Sequence, residues 1–255
     1  MGCGASLPKV EGFLVEQPTP ANGYILGDLA STAAGNVTLH YSGGITNKGV
    51  AAGSYPTTNP VKIDGGDVIF TVLRAGDLNR PRDWIRGPTI AKDAAGRTIA
   101  MLKTDSTTKL KWDSVGNTYT GYCSAPRFDG QGAAFTADDG VSMYSAFRVQ
   151  NMDAKAGNVG YANFNVYLIK DGAAFDSTPT YVLTTYFSCS ATVKFLLTTY
   201  ADNAGVAHGN VSGGKITLTV VKGMDAGLAL LAGFAPALLI AELEYVDSGP
   251  TGAAF

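Results

Sequence analysis

Histidine and cysteine are scarce in this chain, with two of the first (His40 and His208) and three of the second in 255 residues. The cysteines, Cys3, Cys123 and Cys189, contain no CxxC pair, which excludes the close-paired ligand sets of structural zinc. Three is also too few, and odd, for a disulfide-stapled secreted module. A Cys123–Cys189 bridge across strands stays open, but the wide spacing favours free thiols buried as small hydrophobes. Charge is sparse too: 16% of residues are charged and the net charge is −2. That balance lacks the extended basic footprint of a nucleic-acid binder. Only four of the 21 acids are glutamate, and no carboxylate pair suggests itself for glycosidase chemistry.

Long hydrophobic runs are missing as well. The uncharged stretch 226–241 (AGLALLAGFAPALLIA) is sixteen residues, short of the roughly 20 that a spanning helix needs. Gly227, Gly233 and Pro236 interrupt it, and Asp225 and Glu242 close it. A buried segment is expected, with no membrane span. No charged start followed by an apolar run marks a secretory leader. The first six residues, MGCGAS, fit the myristoylation pattern, with Cys3 placed for a second acyl chain; a chance match is the expectation.

What the chain does have is strand signal. Runs rich in β-branched and aromatic residues occupy 36–41 (NVTLHY), 67–73, 97–102, 109–112, 118–123, 142–149 and 163–169. Two more fill 180–200, and others lie at 215–221 and 238–246. Many alternate apolar and polar positions, as Phe164, Val166 and Leu168 do against Asn163, Asn165 and Tyr167. Glycine-rich turn formers separate the runs, among them 42–44, 64–66, 139–140, 171–172 and 212–214. Helical signal is confined to 79–85 and 225–234. Ten to twelve strands with few helices predict an all-β fold, an antiparallel β-sandwich or jelly-roll, or a β-barrel.

Pro8, Pro18, Pro20, Pro56 and Pro60 punctuate the first sixty residues. They predict an extended N-terminal arm with few strands over 1–60 that packs largely on other subunits, followed by one β domain over 61–255. A division of that domain into two lobes would fall near 126–140. Pro236 should separate an apolar loop or short helix at 227–234 from a final strand at 238–246. In that strand Leu239, Ala241, Leu243 and Tyr245 should face the core.

Candidate chemistry thins out under inspection. Residues 209–215 (GNVSGGK) fit GxxxxGK, but a phosphate loop needs Ser or Thr next and then a helix. Here Ile216 opens a strand-like run, so a hairpin turn is expected. Asp64 with Asp67, and Asp138 with Asp139, supply too few oxygens for calcium and read as turn caps. Neither His40 nor His208 has a nameable triad partner, and no GxSxG elbow exists. The acceptor patterns at Asn36 and Asn210 are read as chance. No catalytic residue, metal or cofactor is therefore expected.

Two segments are candidate interfaces. Residues 74–86 (RAGDLNRPRDWIR) bring Arg80, Arg82 and Arg86 beside Trp84, the residue types enriched at binding hot spots. Leu228, Leu231 and Phe234 carry too much apolar surface for water, so they either fill the core or dock on a partner. In its few charges, abundant glycine, alanine and threonine, and strand pattern, the chain resembles the virion structural proteins of tailed bacteriophages. That resemblance implies a non-enzymatic capsid, decoration or tail component located in the virion, with copies of itself and other virion proteins as partners. The alternative is a glycan-binding, lectin-like module of a receptor-binding fibre, with Tyr119, Tyr122, Tyr144 and Tyr161 as stacking platforms.

Overall fold

A computed structural model describes residues 14–42, 59–64, 66–74, 87–105, 117–152, 161–170, 174–187, 193–212 and 215–235. Its strands are β1 (Val37–Ser42), β2 (Asn59–Ile63), β3 (Val68–Arg74), β4 (Thr89–Lys92), β5 (Thr98–Thr104) and β6 (Thr118–Cys123). They continue as β7 (Phe135–Thr136), β8 (Ser142–Asn151), β9 (Tyr161–Leu168), β10 (Tyr181–Phe187), β11 (Val193–Thr199), β12 (Gly205–Ser212) and β13 (Lys215–Val220). Among the described residues there is one α-helix, α1, over residues 226–235, and a single 3-10 turn at Gly27–Ala30.

The strands form an antiparallel meander in which neighbours in sequence pair with each other. Two exceptions shape it. The two-residue β7 pairs only with the start of β8, so that β6 pairs directly with β8. At the ends of the meander β13 pairs with β1 over six residues, Val37 opposite Val220 through Ser42 opposite Lys215. The sheet therefore closes into a barrel of twelve strands, and closure removes the exposed edges. The barrel alternative holds and the sandwich and jelly-roll do not. Alternating burial along a strand is the same in all three; the β13–β1 pairing distinguishes them.

A twelve-stranded barrel has a lumen wider than wall side chains alone can fill. Here α1 fills it. All ten residues of α1 are buried, the all-round apolar signature of a helix in a core. The wall makes room with small inward residues, Ala91, Ala100, Ala162 and Ala207, between larger ones such as Leu39, Phe70, Leu102 and Leu218. Tyr41 on β1 meets Phe234 of α1 edge to face, with ring centroids 5.3 Å apart. Leu228, Leu231 and Phe234 are thus 3%, 1% and 1% exposed. Of the two positions open to them, core and docking patch, they take the core.

The expected domain plan also changes. β1 lies between β2 and β13 in the barrel, so residues 37–42 are wall, not arm. Residues 14–36 fold back on the same chain, burying Ile25, Leu26 and Ala30 in the core. Residues 126–140 do not divide the barrel into lobes, because β6 and β8 on either side of them pair directly. The runs expected at 79–85, 109–112 and 238–246 lie outside the described residues.

Candidate functional site

The barrel has a near end, where the chain leaves β13 and turns into α1, and a far end. At the near end Asp225 stands at the helix N-terminus, 4% exposed. Its Oδ1 accepts the Leu228 N–H at 3.0 Å, the N-cap bond that satisfies one orphan donor of the first helical turn. Its Oδ2 accepts the Ile25 N–H at 2.8 Å. One carboxyl thereby joins the helix to a segment 200 residues earlier.

That segment crosses the barrel mouth through a series of bonds. The Gln17 N–H donates to the Lys222 carbonyl at 2.9 Å and the Gly223 N–H to the Thr32 carbonyl at 3.2 Å. Thr32 Oγ1 donates to the Met224 carbonyl at 2.6 Å. Gly223 has φ +83°, and a Cβ there would fall on the Gln17 carbonyl, so the crossing needs glycine twice over. Arg127, from the β6–β8 connection, closes the group. Its Nη2 donates to the Gly23 carbonyl at 2.8 Å and lies 3.9 Å from Asp225 Oδ2.

Burial governs the chemistry of this cluster. Desolvation pushes the Asp225 carboxyl above its ordinary value, against the Leu228 and Ile25 bonds and the Arg127 charge. Burial raises the Tyr181 phenol to about 12, with the Asp225 charge adding to it. The Cys123 thiol, on β6, rises to about 11 through burial. It is a free cysteine, and burial keeps it in the thiol form at neutral pH. The arrangement ties three chain segments together.

A second apolar cluster lies on the outside of the barrel. Ile90, Met101 and Met143 are buried there beneath the 124–141 connection, together with Ala137 of the connection itself. Phe135 packs edge to face on Tyr122 with centroids 4.9 Å apart, and Lys103 Nζ sits 3.5 Å above the Phe135 ring. Asp139 pins the connection down, its Oδ2 accepting the Thr98 N–H at 2.6 Å. Its Oδ1 also accepts the Val141 N–H at 3.4 Å, two residues on, which is the turn-capping bond expected of it.

The remaining candidates separate in space. His40 on β1 and His208 on β12 lie on the outer face with β13 between them. Residues 209–212 end β12 and Lys215 opens β13, so the GxxxxGK pattern belongs to a hairpin. Among the described residues no three His, Cys, Asp or Glu side chains are grouped to hold a metal. No described helix is long and apolar enough to cross a membrane. Of the tyrosine platforms, Tyr119 points into the core and is fully buried, which removes it from any surface. Tyr122 is covered by Phe135, Tyr144 is half-buried, and the Tyr161 side chain lies outside the described residues. Arg80, Arg82, Trp84 and Arg86 also lie outside them.

Sequence reading missed Asp225 and Arg127. An aspartate directly before an apolar helical run is an N-cap signal, and Asp225 was legible as such. Its bond to Ile25 and the approach of Arg127 were not, since both are long-range.

No family model matches the chain, and no curated protein matches it. A solved structure to which it is similar is an X-ray structure of a protein from Arabidopsis thaliana, at 12% identity and a TM-score of 0.44. The likeness covers 87% of this chain and 98% of that one, and at this TM-score it carries no argument about function.

Proposed function

We propose that this protein is a non-enzymatic structural subunit of a larger assembly, working through the outer face and rim of its barrel. The observation that supports this reading is the filled lumen. Barrels that bind small molecules receive them in the interior, and here α1 occupies that space with its whole circumference buried. Recognition is left to the outside. A wall whose edges are closed and whose centre is packed makes a rigid block suited to repeated contacts. The charge content of 16% and net charge of −2 keep repulsion between copies low. Composition alone supports a phage virion as the assembly, with further copies and other virion proteins as partners.

Light scattering coupled to size exclusion on the full chain, over a wide concentration range, tests the reading. The expected result is a discrete oligomer or a growing polymer. A chain that stays monomeric at every concentration would overturn self-assembly, and glycan-array binding by that monomer would favour the lectin-like alternative.

A further inference from the structure

The inner wall changes character at the far end of the barrel. Stepping by two from the core residues Ala91, Leu102, Val149 and Leu183, the inward face reaches Thr89, Thr104, Asn151 and Thr185. Asn117 holds the equivalent position just before β6. Thr89, Asn117, Asn151 and Thr185 are all buried. A polar group taken out of water needs a partner, yet among the described residues Thr89 Oγ1, Thr104 Oγ1, Asn117 Nδ2 and Thr185 Oγ1 have none. Toward the same end of the wall, on β2, Asn59 Nδ2 donates to the Tyr41 hydroxyl at 3.1 Å, so the wall pairs polar groups where it can.

Three of the unpartnered atoms belong to neighbouring strands. Thr89 on β4 is opposite Leu102, which places Thr104 diagonal to it, at about 7–8 Å between such positions. Thr104 is opposite Tyr119 on β6, and Asn117 lies two residues before Tyr119 on the same face. Two hydrogen bonds of about 2.8 Å each, made through one oxygen, span gaps of this size. We propose that the far end of the barrel interior is a hydrated site, in which ordered water bridges Thr89, Thr104 and Asn117. The donor balance fits. Asn117 Nδ2 only donates, each threonine hydroxyl both donates and accepts, and water accepts two bonds and donates two. The described side chains of this patch offer only hydroxyls and amides, groups that water serves as both donor and acceptor. Thr185 marks a further hydration point beyond Asn151 on the same layer.

The test counts long-lived internal waters by oxygen-17 magnetic relaxation dispersion, in the full chain and in Thr89→Val and Thr104→Val variants, with thermal unfolding of each. A bridged hydroxyl predicts the loss of about one long-lived water per variant and a melting temperature lower by about 2–4 °C. An unchanged water count with an equal or higher melting temperature would overturn the site, because a methyl replacing an orphaned hydroxyl is neutral or stabilising. If a valine variant does not fold, the wild type decides. Cross-relaxation from water to the Thr89 methyl and the Asn117 side-chain amide supports the site, and its absence at both overturns it.

Discussion

Gly209 and Phe195 face each other across β12 and β11, and the Phe195 ring fills the volume that a Gly209 side chain would need. The same ring lies 2.8 Å from the position a Cβ would take on Gly233 of α1. Phe195 is therefore wedged between wall and helix, with a glycine yielding to it on each side. Gly121 and Phe147 repeat the device on β6 and β8, directly opposite in register. Described glycines such as Gly23, Gly96 and Gly140 serve turns, but these residues serve packing. They let aromatic rings lie flat on the wall and leave room for the helix inside.

Gly209→Ala is accordingly expected to destabilise the fold by about 1–3 kcal/mol, the usual cost of overpacking a tight core. Urea denaturation of the single variant, of Phe195→Leu and of the pair measures it. The double variant should lose less than the sum of the two, and simple additivity would mean that the residues are not in contact.

Asp225→Ala removes a cap and strands Arg127 beside an empty position. It also leaves the buried N–H groups of Ile25 and Leu228 without their acceptors, at about 1–3 kcal/mol each, so this variant should be severely destabilised, and Asp225→Asn, which keeps one acceptor oxygen, less so. The pH dependence has a defined sign. Burial raises the folded-state pKa of Asp225 above its ordinary 3.8, so the folded chain holds the proton more tightly than the unfolded one. Its stabilising contribution is complete below the unfolded value and is lost as pH rises through the folded one. The stability of the wild type relative to Asp225→Asn should therefore fall as pH rises from about 4 toward neutrality. Chemical denaturation at a series of pH values checks this, and a rise over the same range would contradict it.

Cys123, with a thiol raised to about 11 by burial, should resist alkylation at neutral pH while the chain is folded. Peptide mapping after iodoacetamide treatment should find Cys123 unmodified in buffer and modified in denaturant. Labelling of the folded chain at the rate of a free thiol would show that the near end opens.

The Lys103–Phe135 contact should hold the 124–141 connection on the barrel. A double-mutant cycle with Lys103→Met and Phe135→Leu is expected to give a coupling of about 0.5–1 kcal/mol. Phe135→Ala should also speed amide exchange in residues 134–141, whose bonds to Met143 and Val141 anchor the flap. Unchanged exchange there would show that Asp139 alone suffices.

Removing residues 1–36 is expected to unfold the barrel rather than release a folded domain. The truncation takes Ile25 from Asp225 and Leu26 from Gly227, a contact in which a built Cβ would lie 2.7 Å from Leu26 Cγ. Circular dichroism of the truncated chain measures the outcome. A native-like spectrum with a cooperative melt would restore the reading of this segment as a detachable arm.

The sequence by itself determined the strands whose side chains alternate cleanly. β6 was legible to the residue, and β1, β3, β5, β8, β9, β10, β11 and β13 to within a few positions, because period-two burial is written locally. It missed β2, which carries Pro60, the four-residue β4, and β12, with Gly205 and Gly209. Weak intrinsic preference hid these strands, and they exist because both neighbours supply a hydrogen-bonding edge. Sequence also marked 226–235 as too apolar for water, since every turn of it is hydrophobic. It could not say whether a partner or the chain's own core would take that surface. Only the tertiary structure decided this, through the pairing of β13 with β1 across the length of the chain. Closing twelve strands creates a lumen of helical width, and the segment following the last strand enters it. The bond from Ile25 to Asp225 is of the same kind. Nothing local to either residue announces it, because it depends on where a closed barrel places its mouth.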